Sequence, residues 1–216
     1  MRKAPFTAVI AAVIICLSGI AGAQELTTIK LPAPVMSGGM PLMEALKERQ
    51  TSRSYDPARE IPLNVMSNLL WAAFGINRPD SGRRTAPSAV NWQEIDIYVV
   101  TAKGTYFYDA KEHSLKPHST GDHRAATGSQ DFVGIAPLNL VFVADLTRMG
   151  KAPEADLEKT AMADTGFISQ NVYLFCASEG LATVVRGLVD KPALSTLLKL
   201  RPEQRITLAQ TIGYPK

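Results

Sequence analysis

The sequence predicts an α+β domain with a central mixed or antiparallel sheet, flanking helices and one long core helix. Residues 138–144 (LNLVFVA) are a nearly continuous apolar run, which is typical of a strand buried on both faces. Residues 155–180 carry apolar and small side chains at helical spacing, which indicates the long helix. Residues 95–100 and 105–108 have strand composition and are separated by Lys103-Gly104, so we expect a hairpin there.

Shorter patterns predict the remaining elements. Pro41 suits a first helical turn, and apolar side chains follow it at helical spacing to about residue 50. A second helix is expected over residues 62–74, where Gly75 ends the pattern. Toward the carboxyl end we expect a strand over 182–185, a helix over 192–198 and a last strand over 206–212.

The amino terminus has the pattern of a secretory signal. Arg2 and Lys3 precede an apolar run over residues 8–20, and the small residues Ala-Gly-Ala that signal peptidase accepts end at Ala23. The run is shorter than the ~20 residues of a membrane span, although an uncleaved anchor is an alternative. We therefore expect residues 1–23 to be a signal peptide cleaved near its end, and the protein to be exported to the periplasm or secreted.

Composition limits the remaining function classes. Residues 24–40 carry Pro and Gly without periodicity, so we expect a linker followed by a single domain over residues 41–216. With 46% apolar and 20% charged residues, the chain is neither collagen-like nor disordered nor a coiled coil. The formal net charge of +3 includes the two cations of the signal, so the mature chain is nearly balanced and loses the main support for nucleic-acid binding.

The sequence offers little nucleophilic or metal-binding chemistry. Cleavage removes Cys16 and leaves Cys176 as a single thiol in an apolar stretch, which indicates a buried, inert side chain without a disulfide partner. His113, His118 and His123 lie close together in sequence, but their spacing does not match a helical pair of metal ligands. We expect no metal site, and we find no catalytic triad or carboxylate pair.

Two polar clusters could bind a ligand. Residues 49–55 (RQTSRSY) place Arg49 and Arg53 on either side of Thr51, a combination that can bind a phosphate through charge-assisted hydrogen bonds. Solvated charges at a helix end are the alternative. Residues 86–93 (APSAVNWQ) place neutral donors and acceptors before a strand, where they could bind the edge of a planar heterocycle. An ordinary capped helix start is the alternative there.

The order of these motifs along residues 41–216 resembles the nitroreductase family of flavin enzymes. Residues 70–78 (LWAAFGINR) are most similar to the branch that includes the azoline-oxidising dehydrogenases of modified-peptide pathways. The resemblance implies the nitroreductase-like fold. It rests on four pieces in register, which are the Arg-x-(Ser/Thr)-x-Arg helix end at 49–53, the Ala-Pro-Ser-x-x-Asn-x-Gln stretch at 86–93, the Gly-Leu turn at 180–181 and Gly-Tyr-Pro at 213–215.

The resemblance also implies a set of FMN contacts. Family members usually continue past Gly-Tyr-Pro with basic residues that reach the phosphate, whereas here Lys216 alone is available for that role. The family's usual lysine near the flavin pyrimidine has no match, and Arg83 or Arg84 are candidate substitutes. The implied contacts are Arg49, Gln50, Thr51 and Arg53 on the phosphate and ribityl chain, Pro87 and Ser88 with Asn91 nearby on the isoalloxazine ring from the same or the partner subunit, and the backbone of Val185, Arg186 and Gly187 along the flavin edge with an N–H near N5.

The activity implied by the resemblance is that of an FMN-dependent oxidoreductase. Hydride would reach flavin N5 from one substrate and leave to another, so we expect ping-pong kinetics with nitroaromatic, quinone or other small conjugated substrates. A homodimer with FMN sites at the subunit boundary is implied as well. Because NAD(P)H is a cytoplasmic reductant, an exported enzyme would need another donor or would act as an oxidase or dehydrogenase. The alternative is a non-catalytic flavin- or ligand-binding module that keeps the fold.

Overall fold

The computed structural model describes residues 25–150 and 152–216, which form four α-helices and nine strands. The predicted signal peptide lies outside the described residues. Among the helices of the described part, none is long and apolar enough to cross a membrane. The helices are α1 (Leu42–Glu48), α2 (Leu63–Phe74), α3 (Glu154–Ser178) and α4 (Lys191–Leu197). The strands are β1 (Ile29–Lys30), β2 (Ile76–Arg78), β3 (Arg83–Arg84), β4 (Ile95–Thr101), β5 (Gly104–Asp109), β6 (Ser114–Thr120), β7 (Leu138–Asp145), β8 (Ala182–Arg186) and β9 (Gln204–Gly213).

Seven of these strands form one sheet in the order β1-β6-β5-β4-β7-β9-β8. Every neighbouring pair is antiparallel, which selects the antiparallel alternative of the prediction. The predicted hairpin is the β4–β5 pair, in which Thr101 lies opposite Gly104. Strands β2 and β3 form a separate small ladder. The α+β class is therefore confirmed, and β8 lies at one edge of the main sheet.

The centre of the sheet is buried on both faces. One face packs against α2 and α3, and the other packs against α4, so β4 and β7 alternate between two apolar layers. This explains why their sequences are continuous apolar runs. The first layer includes Leu69, Phe74, Ile97, Leu140, Phe142, Ile168 and Val172. The second includes Tyr98, Val100, Val141, Val143, Leu194 and Ile206.

Helix α3 is the long core helix that the sequence predicts. Gly180 ends it in the left-handed conformation, at φ 64°, and the Leu181 N–H donates to the Cys176 carbonyl at 2.8 Å. This is a Schellman cap, and it turns the chain directly into the edge strand β8. The buried stripe of α3 follows 3-and-4 spacing and consists of Ala161, Asp164, Thr165, Ile168, Ser169, Val172, Tyr173 and Cys176.

Packed structure begins before Pro41, within the segment predicted as a linker. Strand β1 pairs with β6, the Leu31 N–H donates to the His113 carbonyl at 3.1 Å, and Leu31 is buried. The Met40 N–H donates to the Ser178 hydroxyl at 2.7 Å. The pairing partner β6 is not among the strands that the sequence predicts. Most of its side chains are at least partly exposed, which hides the strand period.

Candidate functional site

The segment after α1 attaches to the edge strand β8. The Arg49 N–H still donates to the Ala45 carbonyl, after which the chain leaves the helix. The Ser52 N–H donates to the Thr183 carbonyl at 3.0 Å, on the outer side of β8. Tyr55 then enters a small apolar cluster, where it is 2% exposed. The predicted phosphate-binding segment is therefore held at both ends and runs along the sheet edge.

Tyr173 connects two groups that were predicted as cofactor contacts. Its hydroxyl oxygen lies 3.1 Å from Thr51 Oγ1 and accepts the Val185 N–H at 3.0 Å. The Val185 N–H, one of the donors predicted along the flavin edge, is therefore occupied in this structure. Gly187 follows directly after the last residue of β8 and is exposed. Sequence reasoning missed Tyr173, whose available signal was a phenol within the apolar stripe of α3.

The two arginines of this segment have no acidic partner. Within the described residues, neither the Arg49 nor the Arg53 guanidinium forms a hydrogen bond or an ion pair. Arg49 lies over the Tyr173 ring at 5.5 Å from its centroid. An adjacent cavity of about 290 Å³ is lined by Gln50, Ser52, Tyr173 and Thr183 and also by the acidic Glu48, whereas neither arginine lines it. Two unpaired guanidinium groups beside hydroxyl and backbone donors are suited to a phosphate dianion.

The second cluster, residues 86–93, forms a strained turn before β4. Val90, Asn91 and Gln93 have φ values of 52°, 60° and 50°, a region that is unfavourable for a β-branched residue such as valine. The Ala89 N–H donates to Asp164 Oδ2 at 2.8 Å. Such strain persists only where surrounding contacts impose it, and it is frequent at ligand sites.

Two of the predicted ring contacts in this turn already have internal partners. The Ser88 hydroxyl accepts the Gln93 N–H at 3.0 Å. The Asn91 side-chain oxygen accepts from Gln93 Nε2 at 3.0 Å. Pro87 is exposed. The turn therefore presents Pro87 and the remaining polar atoms of Ser88 and Asn91 on a preformed surface.

In the described residues, the two clusters contact different positions of α3. The turn contacts Asp164 and the phosphate segment contacts Tyr173, and these residues flank the buried stripe of α3 on opposite sides. Asp164 and Tyr173 are nine residues apart in the helix. At about 100° and 1.5 Å per residue, their side chains differ in direction by about half a turn and their positions along the helix axis differ by about 13 Å. None of residues 86–93 lines the cavity beside Tyr173.

The Arg186 side chain is part of the interior, although its backbone was the predicted cofactor contact. The guanidinium is 6% exposed and donates to Thr211 Oγ1 at 2.8 Å, to Asn139 Oδ1 at 2.8 Å and to both oxygens of Thr127. All of these acceptors are neutral, and burial lowers the pKa of Arg186 to about 10. Gly128 is required here because a Cβ atom would collide with the guanidinium. Sequence reasoning missed this network.

The remaining predicted contacts lie at the surface. Gly187 and Lys216 are exposed, and Lys216 follows Pro215, which lines the cavity beside Tyr173. Arg83 is exposed on the short strand β3. We therefore place Lys216 at the rim of the cavity, whereas Gly187 lies four residues beyond the last strand residue that lines it.

Arg84, a candidate substitute for the family's lysine, is committed to structural contacts. Its Nε donates to Gln93 Oε1 at 2.8 Å, and its Nη1 donates to the Phe74 carbonyl at 3.0 Å. The guanidinium also lies over the Phe74 ring at 4.4 Å, and burial lowers its pKa. Arg84 therefore supports the turn that carries Ser88 and Asn91.

The histidines bind separate neighbours. The His113 ring lies between the Ser67 and Tyr108 hydroxyls at 2.7 and 3.1 Å. His118 Nε2 lies 2.9 Å from the Leu198 carbonyl on the other side of the sheet. Across the described ranges, no group of three or more His, Cys, Asp or Glu side chains could hold a metal ion.

Cys176 is fully buried within α3, as the apolar run around it predicts. Burial raises the pKa of its thiol well above the ordinary value. The thiolate that a nucleophile requires is therefore disfavoured, and the prediction of a buried thiol is confirmed.

Comparison with known proteins shows which sequences and folds this chain is similar to. A nitroreductase-like protein from Methanocaldococcus jannaschii is 29% identical over 170 residues, which cover 74% of this chain and 85% of the relative. The crystal structure of a nitroreductase-like protein from Ralstonia eutropha is 43% identical, covers 88% of this chain and 90% of its own, and superposes with a TM-score of 0.84. The NADPH:FMN oxidoreductase from Vibrio harveyi shares the fold at 21% identity and a TM-score of 0.61, covering 81% of this chain and 69% of its own.

The family model described as "Nitroreductase family" matches residues 46–214, which include both polar clusters, α3 and the edge strand β8. The predicted nitroreductase-like fold is confirmed by the match in sequence and by the superposition over most of the chain. The chain therefore belongs to the nitroreductase family.

Proposed function

We propose that this nitroreductase-family oxidoreductase is an exported, FMN-dependent enzyme that works as a homodimer. The observation that carries the cofactor assignment is the pair of guanidinium groups, Arg49 and Arg53, which have no acidic partner among the described residues and belong to the segment whose Gln50 and Ser52 line the cavity beside Tyr173. Unpaired arginines beside neutral donors are expected where a phosphate binds. FMN is the cofactor typical of the family, and it carries one terminal phosphate.

The residues beside the cavity fit the phosphate end of FMN. The volume of about 290 Å³ is at the lower limit of ligand pockets, so it suits the phosphate and ribityl chain rather than the whole molecule. Arg49 and Arg53 would bind the phosphate, and Thr51 would bind its oxygens or the ribityl hydroxyls. Lys216 at the rim adds a further cation within reach of an anion.

The protein's contribution to the chemistry is binding, orientation and charge. FMN, when bound, supplies a hydride acceptor and donor at N5. Tyr173 holds Thr51 and the Val185 N–H, so the phosphate segment keeps a fixed relation to β8. The Gly187 N–H, directly after the end of that exposed strand edge, would be the donor to a ring nitrogen. The buried Arg186 charge, which has only neutral acceptors, favours negative charge nearby in a poorly solvated site.

A homodimer completes the site in this proposal. The turn with Pro87 and Ser88 lies on the other side of α3 from the phosphate segment, so the ring contacts would come from a second subunit. Helix α1 supports a subunit contact, because its Leu42 and Met43 side chains are 63% and 75% exposed. Exposed apolar side chains next to a half-built site are typical of an interface.

The substrates are proposed at the level of chemical class. We infer ping-pong transfer from an electron donor to a nitroaromatic, quinone or other small conjugated acceptor. The fold is shared with an NADPH:FMN oxidoreductase, which supports NAD(P)H as one donor to test. The predicted signal peptide supports an extracytoplasmic reductant as the other. The similarity of residues 70–78 to the azoline-oxidising branch stays a prediction.

One experiment tests the cofactor and the reaction together. The full-length protein is expressed with its amino terminus intact and purified from the exported fraction, and its visible absorbance spectrum is recorded. We expect a yellow protein whose flavin is reduced anaerobically by NADH, NADPH or an artificial donor and is then reoxidised by a quinone or nitroaromatic in a separate mixing step.

The same experiment can contradict the proposal at two levels. A colourless protein that takes up no FMN when it is offered in excess would exclude the cofactor assignment. A protein that binds FMN but is reduced by none of the donors would favour the flavin-binding module. Export is tested on the same sample by sequencing its amino terminus, which we expect to begin just after Ala23, whereas an intact Met1 would contradict cleavage.

A further inference from the structure

Glu94 is a buried carboxyl group that the proposed flavin chemistry does not use. It lies between the turn at residues 86–93 and β4, and its side chain is fully buried. Within the part of the chain that the structure describes, no side-chain donor of another residue is paired with either carboxylate oxygen, and the side chain that faces them within hydrogen-bonding reach is the Asp164 carboxyl group. An ionised carboxylate without donors is strongly destabilised in a protein interior, so this position favours the protonated acid.

Two charged groups act on Glu94 from the elements packed against it. Asp164 comes from α3 and is 3% exposed, and Arg148 comes from the turn after β7. The Arg148 guanidinium binds both carboxylate oxygens of Asp96 at 2.8 Å and lies 3.6 Å from Asp145, so other carboxylates share this cation. Burial raises the pKa of Glu94 to about 7, the Asp164 charge acts in the same direction, and Arg148 opposes them.

Asp164 also holds the strained turn in place. We call residues 88–93 of this turn the 88–93 loop. Asp164 Oδ2 accepts the Ala89 N–H at 2.8 Å, as described above. Three non-glycine residues of the loop have φ between 50° and 60°, a conformation that costs energy and must be imposed by such contacts. The carboxyl that holds the loop is therefore the one that shares buried space with Glu94.

We propose that Glu94 and Asp164 hold one proton between them and that this proton keeps the 88–93 loop bound to Asp164. With the proton on Glu94, the Asp164 carboxylate keeps its hydrogen bond from Ala89. Loss of the proton adds a second negative charge to the same buried space, and the repulsion weakens the contact between Asp164 and Ala89. Glu94 is thus a positioning residue that acts through Asp164 on the loop with the predicted ring contacts. The inference concerns the protein alone and does not depend on the proposed function.

The loop can be followed in the full-length protein without flavin chemistry. Trp92 lies in the loop, and a Trp71→Phe background leaves it as the single tryptophan, so its fluorescence reports the loop. In a titration from about pH 5 to about pH 9, we expect one step in Trp92 emission centred near pH 7. Hydrogen exchange of the unsubstituted chain, corrected for intrinsic rates, should show that protection of the loop falls across the same pH range.

Three substitutions assign the step to the carboxyl pair. Glu94→Gln keeps a neutral donor beside Asp164 at every pH, so we expect it to remove the step and to hold the low-pH signal throughout. Asp164→Asn keeps an oxygen for the Ala89 N–H and removes the like charge, so the step should move to lower pH. Glu203→Gln changes an exposed glutamate and should leave the step unchanged. All of these variants retain the histidines, so a step that arose from an imidazole would persist unchanged in every one of them.

Two results would overturn the inference. One is a step that persists unchanged in Glu94→Gln. The other is equal exchange protection of the loop on both sides of pH 7 in the unsubstituted chain, a measurement that remains valid if a variant fails to fold. Neither result affects the flavin assignment, and a protein without flavin leaves both readouts in place.

Discussion

The Thr51 hydroxyl lies 3.1 Å from the hydroxyl of Tyr173. The same Tyr173 oxygen accepts the Val185 N–H, so one phenol joins the segment after α1, the core helix α3 and the edge strand β8. These three parts of the chain lie more than a hundred residues apart in sequence at their extremes. The geometry of the proposed phosphate site therefore depends on a residue that contacts the phosphate segment rather than the phosphate itself.

Removing that phenol oxygen should weaken both stability and flavin binding. Tyr173→Phe leaves the Val185 N–H without its partner, and a buried unpaired donor costs about 1–3 kcal/mol of unfolding free energy. Thr51 loses its fixed orientation in the same variant, so we expect a higher dissociation constant for FMN. Urea denaturation measures the first effect and a flavin fluorescence titration measures the second.

Tyr214→Phe is the matched control, because Tyr214 contributes its ring to a contact with Arg59 at 3.6 Å and the phenylalanine ring can keep this contact. We expect both quantities to remain close to those of the unsubstituted protein. Equal losses in Tyr173→Phe and Tyr214→Phe would show that the Tyr173 hydroxyl has no specific role.

The two unpaired arginines should govern flavin retention and not folding. Arg49→Ala with Arg53→Ala removes the cations proposed to bind the phosphate, so we expect a large loss of bound FMN. The unfolding free energy should change by less than about 1 kcal/mol, because neither guanidinium has an ion pair to lose. Flavin content per subunit and urea denaturation give the two values, and Arg205→Ala is a control at an exposed arginine far along the chain. Undiminished flavin content in the double variant would refute the phosphate assignment.

Local periodicity predicted most elements of the fold. The long helix, the hairpin and the buried strand at 138–144 are visible because layers on both sides of the sheet require continuous apolar runs there. Strand β1 was missed because two residues are too few to show a period, and its burial depends on pairing with β6. The segment over residues 24–40 was for that reason predicted as a linker.

Only some residues of the candidate site could be predicted from the sequence. Arg49 and Arg53 stand out as a charged pair around a hydroxyl, whereas Tyr173 becomes relevant only after α3 is packed against β8. The environment of Arg186 follows from tertiary contacts with Asn139 and Thr211, which lie in other strands. Side-chain networks between distant segments leave no local pattern, so their members could not be predicted from one sequence.

The stability of the protein should depend on pH through Glu94. Its pKa rises from the ordinary 4.5 to about 7 on folding, so between these values the unfolded chain loses the proton while the folded protein keeps it. Stability from this group therefore falls as the pH rises through that window and is constant above it. Glu94→Gln has no carboxyl group to titrate, so its stability does not fall in this way. At pH 8 we expect its unfolding free energy to exceed that of the unsubstituted protein by up to about 3 kcal/mol, and at about pH 5 we expect a smaller difference. Urea denaturation at both pH values measures this, and an equal difference at both would contradict the assignment.

A flavin site that is built from two subunits predicts that two inactive variants restore flavin binding and turnover when they are mixed. Arg49→Ala with Arg53→Ala damages the phosphate side, and Pro87→Glu places a carboxylate on the exposed turn that would touch the ring. Each variant alone should form dimers in which both sites are defective. After mixing in equal amounts and subunit exchange, about half of the dimers carry one subunit of each kind, and each of these has one intact site and one site with both defects. We therefore expect flavin content and turnover to recover to about a quarter of the unsubstituted level, whereas a site built within a single chain would show no recovery. The contacts of the two clusters with Asp164 and Tyr173, at opposite edges of the buried stripe of α3, favour the first outcome, because none of residues 86–93 lines the cavity beside Tyr173.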